Sequence, residues 1–137
     1  MEVSGGCYCG EVRYQVSGPV LGKGMCLCRE CQHVSAGGGT FAMVVAEQSF
    51  RYTQGTPRQF ARSDLEAPAT RDFCGTCGTH LVTHSTRAPK ALIVKAGTLD
   101  DPSVYGLPDR AIYVGEKQVY HVVPEGVAIS EGPAPRR

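Results

Sequence analysis

The 137-residue sequence has no tryptophan, almost no net charge and few aromatic residues, 7% in all. Its apolar runs all fall short of the ~18 residues that cross a bilayer as a helix, so no transmembrane helix is expected. Fourteen Lys and Arg stand against thirteen Asp and Glu, a formal charge of +1. That balance leaves no basic footprint for nucleic acid and none for an anionic membrane. No segment keeps a long 3.6-residue apolar period, so long amphipathic helices are not expected either. Met1 to Gly10 lacks a basic segment followed by an apolar one, and the expectation is a chain without a secretory leader that works in the cytoplasm.

What is present is glycine, seventeen residues, and cysteine, seven residues. With 42% hydrophobic and 20% charged residues the composition is that of a folded domain. The length suits one domain with a single modest core. Short alternating segments separated by Gly and Pro turns predict an all-β chain. The strand candidates are Glu11 to Val16, Thr40 to Val45, Thr70 to Phe73, His80 to His84 and Ala91 to Ala96. Phe50 to Thr53 and Arg58 to Arg62 read as a hairpin-like pair around Gln54-Gly55-Thr56-Pro57. Ala111 to Val114 and Gln118 to Val122 read as a closing pair. The domain is placed at residues 1–123, with residues 124–137 as a Pro/Gly-rich C-terminal tail.

The cysteines fall into three tight groups: Cys7 and Cys9; Cys26, Cys28 and Cys31; Cys74 and Cys77. Reduced thiols at such spacing suit metal chelation, because neighbouring thiolates converge on one ion from a single turn. Cys74-Gly75-Thr76-Cys77-Gly78 has the form of a zinc knuckle, with glycines where the backbone must turn. A buried pair of apolar thiols is the plain alternative, and a thioredoxin-like redox pair would need a βαβ context that is missing. Four ligands close a structural zinc site, and Cys7 and Cys9 are the natural second half, with Cys26 and Cys28 as the competing choice. Three cysteines in Cys26 to Cys31 would leave one coordination position open, the pattern of a catalytic zinc. The alternatives are a second closed site completed by His33, His80 or His84, or a redox role for Cys28 and Cys31. His80 and His84 are spaced to share one strand face, which is either a site lining or a solvated face. His121 is read as structural.

Gly6-Cys7-Tyr8-Cys9-Gly10-Glu11-Val12-Arg13-Tyr14, the Cys26-x-Cys28-x-x-Cys31 motif, Phe73-Cys74-x-x-Cys77-Gly78-Thr79 and Gly97-Thr98-Leu99-Asp100-Asp101-Pro102 occur in this order. Together they resemble the glutathione-dependent formaldehyde-activating enzyme family, also called GFA or CENP-V, over roughly residues 5 to 120. The resemblance implies an Mss4-like fold of several coiled antiparallel β-sheets around zinc-binding cysteine knuckles. It implies a structural zinc on Cys7, Cys9, Cys74 and Cys77. It implies a second, catalytic-type zinc on Cys26, Cys28 and Cys31, two ions per chain. The implied activity is a carbon–sulfur lyase reaction that reversibly adds a thiol, typically glutathione, to formaldehyde to give the S-hydroxymethyl adduct. Four positions depart from the family pattern. Leu27 stands where a His is common, Gln32-His33 replaces a basic pair, Ala111 stands near a common His, and Tyr120 occupies a Trp position.

Two functional classes follow. The first is a zinc-dependent lyase on a small thiol or aldehyde, with Arg29, Arg71 or Arg110 available for a substrate carboxylate. In it, Gly37 to Gly39 would let backbone amides approach the ligand. The second is a non-catalytic zinc-stabilised binding module for a protein or other partner. The state of the three-cysteine site discriminates them.

Overall fold

A computed structural model describes residues 1–135; Arg136 and Arg137, the end of the expected tail, lie outside the described residues. Eleven strands and one short helix follow in chain order. They are β1 (Glu2–Gly6), β2 (Arg13–Ser17), β3 (Val20–Cys26), α1 (Arg29–Val34), β4 (Thr40–Ala46), β5 (Phe50–Gln54), β6 (Arg58–Phe60), β7 (Thr70–Phe73), β8 (His80–His84), β9 (Ala91–Lys95), β10 (Arg110–Ile112) and β11 (Ala128–Ile129). A three-stranded sheet has the order β1-β2-β5, and an eight-stranded sheet the order β11-β10-β3-β4-β9-β8-β7-β6. All pairings are antiparallel except those of β10, which runs parallel to both β3 and β11.

The core lies between the two sheets. Tyr14 and Val16 of β2 alternate inward and meet Met43 and Val45 of β4, Leu81 and Val82 of β8, and Leu92 and Val94 of β9. Each of these side chains is at most 5% exposed, and burying one aliphatic of that size contributes about 1.5–3 kcal/mol. Tyr14 keeps its hydroxyl satisfied on Thr98 Oγ1 at 2.8 Å and stacks on Phe50. A smaller cluster of Met25, Leu27 and Ala111 sits at the β3–β10 end, with Val114, Val123 and Val127 packed on it.

Several expectations change. β5 and β6 do not pair as a hairpin: β5 joins β2 in the small sheet and β6 joins β7 in the large one. The Gly55–Pro57 turn is a passage between sheets, because Tyr52 is needed against the core and Arg58 against the knuckle glycine Gly75. Gln118 to Val122 is a turn rather than a strand, and the closing strand runs from Arg110 to Ile112 with parallel partners. Residues 124–132 lie along the domain: Ala128 and Ile129 pair with β10, and the Tyr113 N–H donates to the Gly132 carbonyl at 2.8 Å. β1 and β3 are further strands that sequence pattern does not mark, since glycines break the alternation in both.

One irregularity decides what faces the site. The β7–β8 register passes from Asp72 opposite Val82 to Phe73 opposite His80, which leaves Leu81 as an extra residue in a bulge. A bulge reverses the in–out alternation on one side of it. Leu81 therefore joins Val82 in the core, and His80 turns to the opposite face.

Candidate functional site

Two groups of thiols converge. Cys7, Cys9, Cys74 and Cys77 form one group and Cys26, Cys28 and Cys31 the other, each with its sulfurs within 4.8 Å of one another. The first group joins the β1–β2 loop to the β7–β8 loop. Its two halves share one local design. The Gly10 N–H donates to the Cys7 carbonyl at 3.1 Å and the Gly78 N–H to the Cys74 carbonyl at 2.8 Å. Gly10 and Gly78 stand directly after the second cysteine of each half, with φ of +82° and +80°, a region that glycine enters without strain. Backbone amides then point at sulfur: Val12 N–H to Cys7 Sγ at 3.2 Å and Cys77 N–H to Cys74 Sγ at 3.5 Å. Thr79 and its backbone hold the Cys77 thiol down to about 5. The sulfur separations of 3.6 Å for Cys7–Cys9 and 3.8 Å for Cys9–Cys74 match the ~3.8 Å edge of a tetrahedron with 2.3 Å Zn–S bonds. The donor set fits a closed thiolate site. Cys26 and Cys28, the competing partners, belong to the other group.

The second group is built by the end of β3 and the first turn of α1. Cys28 caps the helix, its sulfur accepting the Cys31 N–H at 3.3 Å. The Thr40 hydroxyl donates to Cys31 Sγ at 3.3 Å from the neighbouring strand, where Thr40 pairs with Cys26. The Cys26 and Cys28 thiols together with Thr40 hold the Cys31 thiol down to about 2, against its burial. The segment is pinned from the far end of the chain. The Leu27 N–H donates to the Ile112 carbonyl, the Arg29 N–H to Glu116 Oε1, and buried Gln32 donates through Nε2 to the Leu27 and Glu116 carbonyls. Gly39 closes the turn behind it at φ +78°, and a Cβ there would lie 2.7 Å from the Cys26 carbonyl and 2.8 Å from Leu27 Cδ2. Gly39→Ala should therefore lower stability by about 1–3 kcal/mol and weaken metal uptake at the three-cysteine group alone, read by a thermal melt and metal titration.

Thr40, Cys26, Lys95, Thr83 and Arg71 share one face of the large sheet through the β3–β4–β9–β8–β7 register. His80 reaches this face through the bulge and bonds Thr83 Oγ1 at 3.1 Å. Its burial, with Lys95 and Arg71 nearby, pushes its imidazole down to about 4, so it is neutral at pH 7. Arg71 pairs with Glu30 of α1 at 3.0 Å. His84 does not share this face; it bonds Asp72 Oδ1 at 3.0 Å on the core side. His33 contacts Arg29 on the exposed side of α1. Thus none of His33, His80 and His84 joins the three thiols, and among the described residues no fourth protein ligand completes that group. Cys28 and Cys31 are both free thiols.

The other sequence candidates separate. Arg110 holds the Ile129 carbonyl and Ser130, and Arg29 is tied to Gln32, so neither faces the thiols. Gly37 and Gly38 line a groove of about 400 Å³ with Met25, Phe41, Tyr120 and Val122, on the sheet face opposite Cys26. His121 is structural: its Nδ1 accepts the Gln118 N–H at 2.8 Å and its Nε2 donates to the Gly37 carbonyl. Of the four departures from the family pattern, Leu27 and Ala111 are both fully buried and pack in one apolar cluster with Met25. Sequence reasoning missed Lys95 and Thr40, whose residue types carry no metal signal, and Glu116, which bonds the Arg29 amide and Gln32 rather than serving as a ligand. Register alone brings them to the site.

Comparison with known proteins bears on this arrangement. The family model described as glutathione-dependent formaldehyde-activating enzyme matches residues 2–116. A protein of Halomonas elongata, provisionally named as such an enzyme, is 27% identical over 105 residues, 73% of this chain and 67% of its own length. A crystal structure of a Rhodobacter sphaeroides protein superposes with a TM-score of 0.61 at 22% identity, over 75% of this chain and 94% of that one. That likeness concerns the fold, which is all-β and of the Mss4-like kind.

Proposed function

Because the chain belongs to the glutathione-dependent formaldehyde-activating enzyme family, we propose that it is a zinc-dependent carbon–sulfur lyase. In this reading it adds a thiol such as glutathione to formaldehyde or a similar small aldehyde. Cys7, Cys9, Cys74 and Cys77 hold a structural ion, and Cys26, Cys28 and Cys31 hold a second one and form the reaction site. The observation that supports it is the contrast between the two groups: four converging thiols in one, and three with no fourth protein ligand among the described residues in the other. A zinc ion held by Cys26, Cys28 and Cys31 would supply a Lewis acid able to take up a sulfur or an oxygen.

The chain's own residues prepare that position. Thr40 and the amide of Cys31 stabilise anionic sulfur, and the Gln32–Glu116 contact fixes the turn that aims Cys28. In the reaction the thiol sulfur's lone pair forms the C–S bond to the aldehyde carbon. The carbonyl π pair moves to oxygen, and the thiol proton ends there, giving the S-hydroxymethyl adduct; the reverse breaks the same C–S bond. All seven cysteines are unpaired, which suits a reducing compartment such as the cytoplasm.

The test is exchange spectroscopy with glutathione and ¹³C-labelled formaldehyde. Wild-type protein is expected to accelerate interconversion. Cys28→Ser should remove that acceleration and about one of two metal ions while its melting temperature stays within a few degrees. A Cys28→Ser protein that exchanges label as fast as wild type overturns the reading.

A further inference from the structure

We propose that buried Lys95 tunes the open position of the three-cysteine site toward anionic ligands, a thiolate above all, by offsetting the charge that such a ligand adds. The inference rests on the reading above, in which that group holds a divalent ion.

Lys95 ends β9 opposite Ala42, on the face that carries Cys26 and Thr40. Lys95 is 9% exposed, and among the described residues its ammonium has no hydrogen-bond or ion-pair partner. A buried ammonium without such a partner is costly unless negative charge lies close by. The register sets it beside Thr40, whose hydroxyl holds Cys31 Sγ, so the charge it faces is that of the cysteine sulfurs. Arg71, on the same face, is also half-used. Its Nη2 pairs with Glu30, while its Nε is buried with no partner. His80 adds no charge there at neutral pH.

Charge balance gives the consequence. Three thiolates around a divalent ion carry one net negative charge, and Arg71 cancels Glu30. Lys95 makes the whole site neutral, so an arriving thiolate takes it to one negative charge. Without Lys95 the same thiolate would build a doubly negative site in a poorly solvated place, where like charges repel strongly. A neutral ligand such as imidazole changes no charge and is indifferent to Lys95. The side chain touches no reacting atom in this scheme; it is a positioning residue that acts through the field.

The experiment uses cobalt(II)-loaded protein, whose sulfur-to-metal charge-transfer band reports thiolate ligation directly. 2-Mercaptoethanol is titrated as a thiol without a carboxylate, and imidazole as the neutral ligand. Lys95→Met is expected to weaken thiol binding about tenfold and leave imidazole binding within about twofold. Lys95→Arg should restore thiol binding. Lys95→Gln is measured alongside, so that a folded neutral variant is at hand. Equal losses for both ligands, or no loss for either, overturn the role of Lys95. If wild-type protein takes up no more cobalt than Cys28→Ser, the metal reading itself fails and this inference falls with it.

Discussion

Replacing Cys74 with serine should cost the protein its cooperative thermal transition. Cys74 is completely buried, its sulfur lies 3.8 Å from that of Cys9, and its neighbours Cys7 and Tyr14 belong to the same core. The group it completes joins two loops 65 residues apart in sequence. Structural zinc in small domains binds with about 10–16 kcal/mol of apparent free energy, comparable to the total stability of a domain this size, ~5–15 kcal/mol. With zinc held there as proposed, loss of one of four thiolates would remove most of that contribution and leave an uncoordinated hydroxyl in the core. Circular dichroism should show a broad or absent melt, and a strong chelator should do the same to the wild type. Cys28→Ser should melt normally. A Cys74→Ser protein that melts within a few degrees of wild type would refute the structural role.

Asp72→Ala should be the next most damaging change, lowering stability by about 3 kcal/mol. The Asp72 carboxylate is 3% exposed and accepts three side chains: the Tyr52 hydroxyl at 2.6 Å, Gln59 Nε2 at 2.8 Å and His84 Nε2 at 3.0 Å. It links β5 of the small sheet to β6 and β8 of the large one. Burial and the Asp72 carboxylate push the Tyr52 phenol well above its ordinary range, so it stays a donor. Removing the carboxylate strands that donor inside the protein, whereas Tyr52→Phe removes only the donor and leaves two partners for Asp72. Tyr52→Phe should cost about 1 kcal/mol, and the double variant Tyr52→Phe/Asp72→Ala less than the two single losses added together. Urea titrations of the four proteins measure the coupling, and additive losses would show that Asp72 acts independently of Tyr52.

The cysteine groups were legible because their ligands are close in sequence: two residues apart in Cys7-x-Cys9, three in Cys74-x-x-Cys77, and five across Cys26 to Cys31. Short spacing leaves few geometries open, and knuckle glycines sharpen the pattern. Strands with clean alternation, such as β2 and β9, were legible for the same local reason. What pattern did not reveal depends on distant partners. β3 is interrupted by Gly22 and Gly24 and is held between β4 and β10, while β11 is two residues long and is held by β10. The even spacing of His80 and His84 promised a shared face, but the bulge at Leu81 sends one to Thr83 on the Lys95 face and the other to Asp72. Lys95 falls inside the strand candidate Ala91 to Ala96, where a single charge carries no sign of a site. Only the sheet register shows it buried on the cysteine face.

The pinning of α1 by residues 112–116 has a bearing on biosynthesis. The chain leaves the ribosome with Cys26, Cys28 and Cys31 long before Ile112 and Glu116, whose backbone and side chain hold that turn in place. The four-cysteine clasp is complete in sequence by Thr79, whereas the shape of the three-thiol turn waits for another thirty-odd residues of translation. During that interval the turn has only its β4 contacts, Thr40 among them, and its three thiols are less shielded from oxidants and soft metals than in the finished fold. The rate at which the final strands dock therefore sets how long the reactive part of the molecule is exposed to error, and a slow elongation step after residue 80 would lengthen that window without altering the finished fold.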